Sequence, residues 1–372
     1  MYTFAEIKQS LRRQDFDELT AVVPEFVSEE SGSYEQVLQQ MLYLTAHEQP
    51  GKQPPLGVVY LDAVRDLRTL YEEPATGFWP LFRVALRYYC TLRLREFDKE
   101  VTTMQPEDMG QIVMVDDFVE SLRTGDTDMA VHEVVKLTWM MDNIFYLGEI
   151  LTEQAASAGE QSGFSLVLAG AVLKSIDFVE SAQLNPLLFL LTEYLSRLKI
   201  GDPANEDATD LPVIQFERYF KEVFNAGQND VMETVYLSYA RQIWEAVRMK
   251  EDSIRRGIYD YLMSRYTFEE NVTSATEYST KQGTIQDIIA ALTDGDMAAC
   301  HSLILGYIRD GTGLGTLFRH LADIFLEYTT PEHPMDLILI NSYRTAGAFL
   351  NPPGQYQAML KAADLVREVM ER

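Results

Sequence analysis

Three segments of this chain recur in the same order along its length, and each has the apolar spacing of an amphipathic helix. Residues 59–65 (V-Y-L-x-x-x-R) recur as 235–241, and residues 115–126 (V-x-D-x-x-x-x-L-x-x-G-D) recur as 285–296 with Ile in the first place. A third pattern, L-x-x-I followed by an X-Pro pair, ends in Asn185-Pro186 and then in His333-Pro334. Helical periodicity alone produces chance matches of Leu and Ile, but it does not supply Gly-Asp and X-Pro pairs at matching places. We therefore predict an internal duplication.

The remaining sequence also favours helices, because no window combines strict alternation with turn residues. The fold class that we predict is all-α: an internally duplicated helical bundle or short helical array with an N-terminal helical extension. An acidic stretch with Gly and Pro, Gly201–Leu211, is the best linker in the chain. The expected organisation is an N-terminal extension, a first copy, an acidic linker with a connecting helix, a second copy and a closing helix, over residues 1–55, 56–200, 201–230, 231–350 and 351–372.

Local signals predict where several helices begin and end. Thr3-x-x-Glu6 and Ser33-x-x-Gln36 have the composition of capping boxes. Long apolar periodicity predicts one continuous helix over Asp128–Thr152 and another over Thr284–Arg309. Pro24 is expected to interrupt the helical pattern around it, because proline lacks the backbone N–H that a helix interior needs.

The charge balance restricts the class of partner. The chain has 57 Asp and Glu against 31 Lys and Arg, a formal net charge of −26. Such a field repels phosphate backbones and anionic lipid surfaces, so we expect no nucleic-acid partner and no membrane partner. Three interpretations of the acidity remain: adaptation to high salt, attraction to a basic partner, and mimicry of nucleic acid. The acidic residues are dispersed, which favours a solvated surface over mimicry.

Cysteine use and the N-terminal sequence indicate a cytoplasmic protein. Cys90 and Cys300 are far apart and have no metal-ligand spacing, so they are expected to be small core residues in a reducing compartment. The polar start of the chain has no apolar signal core. The most apolar runs, Phe164–Val172 and Leu187–Leu191, are too short to span a bilayer.

Histidines in the second copy are the candidate metal ligands. His301, His320 and His333 lie within one stretch of helical pattern, and the first copy has Asn185 where the second has His333. Imidazoles from neighbouring helices can meet in a bundle and bind a transition metal. The sequence lacks the Glu-x-x-His and His-Glu-x-x-His spacings of helical metal sites, so histidines bonded within the core are the competing interpretation.

Aromatic and basic residues give weaker signals. Trp139 and several tyrosines and phenylalanines are candidates for a pocket, for a protein-binding groove or simply for the core. Arg93-x-Arg95 and Arg255-Arg256 are expected to pair with carboxylates of the same chain, although arginines can also bind an anionic ligand.

These observations lead to two functional hypotheses. The first is a non-catalytic binding or assembly module that offers an acidic, aromatic-rich helical surface to a protein partner, since no catalytic motif is assembled in the sequence. The alternative is a metal- or cofactor-dependent, oxidoreductase-like enzyme with a pocket between the two halves, in which His301, His320 and His333 are the ligands or acid–base groups.

Overall fold

The structure is a computed structural model, and every structural statement below concerns the stretches of chain that it describes. These are residues 2–28, 33–49, 54–71, 78–95, 112–159, 162–179, 184–201, 214–225, 231–266, 279–309, 313–352 and 354–372. Most of the predicted linker, residues 202–211, lies outside them.

The predicted all-α fold class is confirmed. Apart from one antiparallel bridge between Glu48 and Leu94, the regular backbone structure in the described stretches is helical. None of these helices has both the length and the apolar character that crossing a bilayer requires. In chain order the helices are α1 (Phe4–Arg13), α2 (Phe16–Ser28), α3 (Tyr34–Thr45), α4 (Gly57–Arg68), α5 (Trp79–Tyr89), α6 (Val115–Thr124), α7 (Thr127–Met140), α8 (Ile144–Ala156), α9 (Ser162–Ile176), α10 (Leu184–Leu195), α11 (Phe216–Asn225), α12 (Val231–Ala246), α13 (Glu251–Arg265), α14 (Ile285–Asp294), α15 (Met297–Arg309), α16 (Leu314–Tyr328), α17 (Pro334–Phe349) and α18 (Gly354–Glu371).

The two predicted capping boxes are both present. The Thr3 hydroxyl accepts a hydrogen bond from the Glu6 N–H at 3.4 Å, and the Glu6 carboxylate accepts one from the Thr3 N–H at 2.7 Å. Ser33 and Gln36 make the same reciprocal pair of bonds at the start of α3. These bonds satisfy backbone N–H groups that have no partner within the helix, so α1 and α3 begin where the sequence indicates.

The two long helices predicted from apolar periodicity are each two helices, so those predictions are wrong. The first breaks at Met141–Asn143, because the Asn143 side chain accepts the Tyr146 N–H at 3.3 Å and starts α8. The second breaks at Gly295, whose φ of 80° ends α14 in the left-handed conformation. Periodicity missed both breaks because the apolar positions stay nearly in phase across them.

Pro24 does not interrupt its helix, which is a further correction. The helix α2 is continuous from Phe16 to Ser28 with Pro24 inside it. Leu19, Val23 and Phe26 are buried on either side of the proline. Burial of this apolar face therefore outweighs the hydrogen bond that proline cannot make.

The Gly-Asp pairs of the predicted repeat have the same conformation in both places. Gly125 and Gly295 end their helices with φ angles of 75° and 80°. Asp126 and Asp296 then start the next helix by accepting the N–H three residues later, at 3.1 and 3.0 Å. The hairpins α6–α7 and α14–α15 therefore share their local geometry, while duplication of the whole segments stays a prediction.

The chain forms two compact units, and each is assembled from three separate stretches. Unit 1 comprises Met1–Asp62, Tyr89–Ile214 and Tyr239–Tyr266. Its α8 and α9 pack closely, since a Cβ on Gly148 would lie 2.6 Å from Ile176 Cδ1. A larger residue at position 148 would therefore require the Ile176 side chain to move.

A buried carboxylate in unit 1 is fully partnered. Asp62 has no solvent exposure, and its Oδ2 accepts bonds from Lys174 Nζ at 2.9 Å and from the Tyr239 hydroxyl at 2.8 Å. A buried charge needs such partners to be tolerated. We interpret this set as structural, because the carboxylate is held by a cation and a hydroxyl of the same unit.

Unit 2 comprises Ala63–Tyr88, Gln215–Ser238 and Thr267–Arg372. Its central element is the C-terminal helix α18, which packs against α11, α14, α15, α16 and α17. Small residues on α18, among them Ala358, Ala362 and Ala363, are buried and let these neighbours approach. The predicted closing helix is thus the core helix of this unit.

Candidate functional site

The structure places the three predicted metal ligands in different surroundings. His301 on α15 is partly buried, and its Nε2 lies 2.7 Å from Asp364 Oδ1 on α18. His320 is half-buried on α16, and His333 is exposed at the residue before α17. Among the described residues, His301 is the one of the three whose imidazole lies within hydrogen-bonding distance of a carboxylate.

No metal centre is assembled from these residues. Across the described stretches of the chain, no group of three or more His, Cys, Asp and Glu side chains is arranged to hold a metal ion. Burial raises the pKa of both Cys90 and Cys300 to about 12, so neither thiol is a ready ligand or nucleophile at neutral pH. The metal site at His301, His320 and His333 stays a prediction, and the geometry offers it no support.

An exposed group of large apolar side chains in unit 1 is the better candidate site. Trp139 and Met140, in the last turn of α7, are 51% and 42% exposed, and Met249, between α12 and α13, is 50% exposed. Asn143 follows Met140 by three residues, and its Nδ2 lies 3.9 Å from Met249 Sδ. We call Trp139, Met140, Asn143 and Met249 the Trp139 surface.

A buried carboxylate fixes the loop that carries Met249. Glu149 on α8 has no solvent exposure, and it accepts the backbone N–H groups of three successive residues. The bonds run from Arg248, Met249 and Lys250 at 2.6, 2.8 and 2.9 Å. Bonds to a charged acceptor are stronger than neutral ones. The backbone at Met249 is therefore held in one conformation although its side chain is exposed.

Two further contacts order the same loop, one with α8 and one within its own segment. Lys250 Nζ lies 3.4 Å from Glu153 Oε2, one helical turn after Glu149. The Arg248 guanidinium turns back on its own chain and donates to the carbonyl oxygens of Glu245 and Val247. The Trp139 surface is thus presented by an ordered backbone, which reduces the entropy lost when a partner binds.

Carboxylates border this surface. Asp142 lies between Met140 and Asn143 in the chain and is exposed, and Asp252 is exposed in the first turn of α13. Arg255 and Arg256, one turn further along α13, pair with Glu251 and Asp260 respectively. The predicted intramolecular pairing of these two arginines is confirmed, and they add little net positive charge to the rim.

The sequence indicated Trp139 but not the surface around it. Trp139 stands in a Trp-Met-Met run at the end of α7, and Met249 lies 110 positions later. The run itself was a usable signal, because adjacent large apolar residues on a helix cannot all face one core. Nothing in the sequence links this run to Met249. The link is the contact between Asn143 and Met249, and the Glu149 hydrogen bonds hold Met249 in place for it.

No protein-family model, no curated protein sequence and no solved structure shows significant similarity to this chain. Residue roles therefore cannot be carried over from a relative. The function has to be argued from the geometry and chemistry of this chain's own residues.

Proposed function

We propose that this chain is a non-catalytic binding protein whose Trp139 surface takes a protein partner. One observation carries the proposal: Trp139 and Met140 are about half exposed at the end of α7, and Met249 is half exposed on a loop that is fixed by the buried Glu149 and contacts Asn143, three residues after Met140. Large apolar side chains grouped on a surface are typical of interaction sites. A rigid backbone with adaptable side chains suits binding better than it suits catalysis.

The side-chain types fit recognition of an apolar segment. Tryptophan is the residue most enriched among those that dominate binding energy at protein interfaces. Methionine is flexible and polarizable, so Met140 and Met249 can adjust to the shape of a partner. These properties favour the apolar face of a partner helix as the occupant.

Charge favours a basic partner over a second copy of the chain. Two chains that each carry a net charge of −26 repel one another. A helix with lysine or arginine beside its apolar face would gain from Asp142 and Asp252 at the rim. The occupant that we propose is therefore a basic amphipathic helix of another protein.

The test is a comparison of tagged variants as bait in an extract of the native cells, followed by titration of the purified captured protein. The disruptive variant carries Trp139→Ser and Met249→Ser. The control carries Met129→Ser, which removes a methionine of similar exposure, 48%, from the first turn of the same helix. We expect one protein to be captured by wild type and control only, and its affinity to fall at least about tenfold with the double variant.

Three outcomes would contradict the proposal. The first is that no captured protein distinguishes the double variant from the Met129→Ser control. The second is that the captured protein binds through an acidic segment, as peptide fragments of it would show. The third is that sedimentation finds a dimer of the wild-type chain that the double variant abolishes, which would make the surface a self-association site.

The enzyme alternative has one observation in its favour. A carboxylate 2.7 Å from an imidazole, as between Asp364 and His301, is the arrangement by which enzymes orient a general base. Elemental analysis and an absorption spectrum of the purified protein test this alternative. A stoichiometric transition metal or a bound chromophore that is lost in His301→Ala would replace the binding proposal.

A further inference from the structure

A cavity of about 580 Å³ in unit 2 lies outside the Trp139 surface and shares no residue with it. It is lined by one face of α5 and one face of α16, together with Tyr71 and Thr329. Its volume falls within the range of small-molecule sites, which is about 300–1,000 Å³. The charges on the two helix faces indicate the class of ligand.

The α5 face is basic in an otherwise acidic protein. Pro80, Arg83, Val84 and Arg87 line the cavity, and their spacing of three, one and three residues places them on one side of the helix. The helix from Trp79 to Tyr89 contains no acidic residue. Like charges four residues apart destabilise a helix slightly, so the presence of both Arg83 and Arg87 on one face is unfavourable for the helix itself.

The α16 face supplies a third guanidinium and two carboxylates. Arg319, Asp323 and Glu327 follow one another at intervals of four residues along the cavity wall. The Tyr71 hydroxyl donates to Asp323 Oδ1 at 3.0 Å, and the Arg319 Cζ lies 5.3 Å from the centre of the Tyr71 ring. Tyr71 therefore positions both a cation and an acceptor at the wall.

Two of the arginines at the cavity, Arg83 and Arg319, keep guanidinium donors for a ligand. Among the described residues, neither Arg83 nor Arg319 forms an ion pair, although Asp323 and Glu327 line the same cavity. This contrasts with Arg255, Arg256 and Arg372 elsewhere in the chain, each of which pairs with a carboxylate. Two uncompensated arginines in a concave site are donors arranged for an oxyanion.

We propose that this cavity binds a small phosphate monoester that carries hydroxyl groups. A dianionic phosphate has enough oxygens to accept bonds from Arg83 and Arg319 together, whereas one carboxylate offers two. Asp323 and Glu327 are acceptors for the ligand's hydroxyl groups, and Val84 and Leu326 provide apolar contact for its carbon skeleton. The mixture of basic and acidic wall residues matches a ligand that is anionic at one end and hydroxylated at the other.

Glycerol 3-phosphate is the probe, because it is a small phosphate monoester that carries two hydroxyl groups. Its binding is measured by titration calorimetry at constant ionic strength, beside inorganic phosphate, glycerol and sodium chloride. The variants are Arg83→Gln and Arg319→Gln at the cavity and Arg309→Gln as the matched control, since Arg309 is an exposed arginine of the same unit at the end of α15. Glu327→Gln tests the hydroxyl contacts.

We expect saturable binding of glycerol 3-phosphate that weakens roughly tenfold or more in Arg83→Gln and in Arg319→Gln, because each loses charge-assisted bonds to the phosphate. Arg309→Gln should bind as wild type does, and Glu327→Gln should bind inorganic phosphate normally while binding glycerol 3-phosphate more weakly. Arg83 is exposed on its helix, so its variant folds even if Arg319→Gln disturbs Tyr71.

Several results would overturn the inference. No heat of binding beyond that of sodium chloride would show that the cavity takes no phosphate ester. An equal loss in Arg309→Gln would show a response to net charge alone. Binding of inorganic phosphate as tight as that of glycerol 3-phosphate would remove the hydroxylated ester from the assignment.

Discussion

The hairpins α6–α7 of unit 1 and α14–α15 of unit 2 begin alike and end differently. In both, a glycine with positive φ ends the first helix and an aspartate caps the second. Fourteen residues after its glycine, the last turn of α7 contains the exposed Trp139, whereas the equivalent residue of α15 is the exposed Arg309. The turn geometry is thus shared, and the chemistry of the helix end is not.

The comparison teaches which features of such a hairpin are structural and which are functional. The turn is determined by glycine and aspartate, and it recurs because helix termini have fixed hydrogen-bonding needs. The last turn of the second helix is free to vary, since exposed residues there contribute little to stability. A tryptophan at that place in one hairpin and an arginine in the other therefore indicate different surface roles.

The largest effect is expected at Glu149, which orders the loop that carries Met249. Glu149→Gln replaces one acceptor oxygen with an NH₂ group that faces backbone donors, so the free energy of unfolding of unit 1 should fall by roughly 3 kcal/mol. Urea denaturation followed by Trp fluorescence measures it, and hydrogen exchange should show faster exchange of the N–H groups of Arg248, Met249 and Lys250.

The matched control is Glu153→Gln on the same helix. Glu153 holds the loop through Lys250 Nζ at 3.4 Å and accepts none of the three backbone N–H groups. We expect its replacement to cost less than about 1 kcal/mol. Equal costs for the two variants would mean that charge near the loop matters and the backbone bonds do not.

Replacing each turn glycine by alanine is the next largest effect. Both glycines have positive φ, so Gly125→Ala and Gly295→Ala should each lower stability by about 1–2 kcal/mol. The cost should be larger at Gly125, because its Cβ would lie 3.2 Å from the backbone carbonyl oxygen of Ser196, whereas the close group at Gly295 is the flexible Arg367 side chain. Paired urea titrations measure the difference, and a greater cost at Gly295 would contradict the steric interpretation.

The aspartate caps should show that the two turns are energetically equivalent. Asp126→Ala and Asp296→Ala each remove one hydrogen bond to a backbone N–H at 3.1 or 3.0 Å, and each should cost about 1 kcal/mol. Thermal unfolding of the two variants, with Asp126→Asn and Asp296→Asn as conservative controls, measures the costs. If one of the two substitutions leaves stability unchanged, the hairpins share their backbone geometry but not the energetic contribution of the cap.

The smallest expected effect distinguishes His301 from His132. The double-mutant cycle of His301→Ala with Asp364→Ala should give a coupling of about 0.5 kcal/mol, because the 2.7 Å contact is partly exposed. His132→Ala, at the neighbouring position of the first hairpin, should show no coupling to Asp364→Ala. A coupling several times larger for His301 would favour the enzyme alternative, since orienting a catalytic imidazole requires a strong bond.

Capping boxes and the all-α class could be predicted because each depends on residues close together in the sequence. Thr3 with Glu6 and Ser33 with Gln36 are examples in which the sequence contains both partners of the bond. The breaks at Asn143 and Gly295 were missed because apolar spacing continued through them. Apolar spacing does not reveal that a single polar residue can form the hydrogen bonds that start a new helix.

The candidate sites could not be predicted in the same way, because their partners are distant in the chain. The bonds from residues 248–250 to Glu149 and the contact between Tyr71 and Asp323 join segments that share no pattern. The prediction of a metal site at His301, His320 and His333 rests on their proximity in sequence, and the structure places these side chains in different surroundings. Side chains of potential functional residues on neighbouring helices meet only if their helix faces are directed at one another. The sequence does not determine this orientation.

The most direct test gives the α6–α7 hairpin, near its end, the residue type that the α14–α15 hairpin has there. Trp139→Arg places on α7 the residue type that α15 has at the equivalent position, and its affinity for the captured partner protein is compared with that of wild type by calorimetry. We predict at least about a tenfold loss of affinity with the unfolding midpoint unchanged, because Trp139 is exposed and is the proposed anchor for the partner. An affinity equal to that of wild type would contradict the assignment of the Trp139 surface as the binding site.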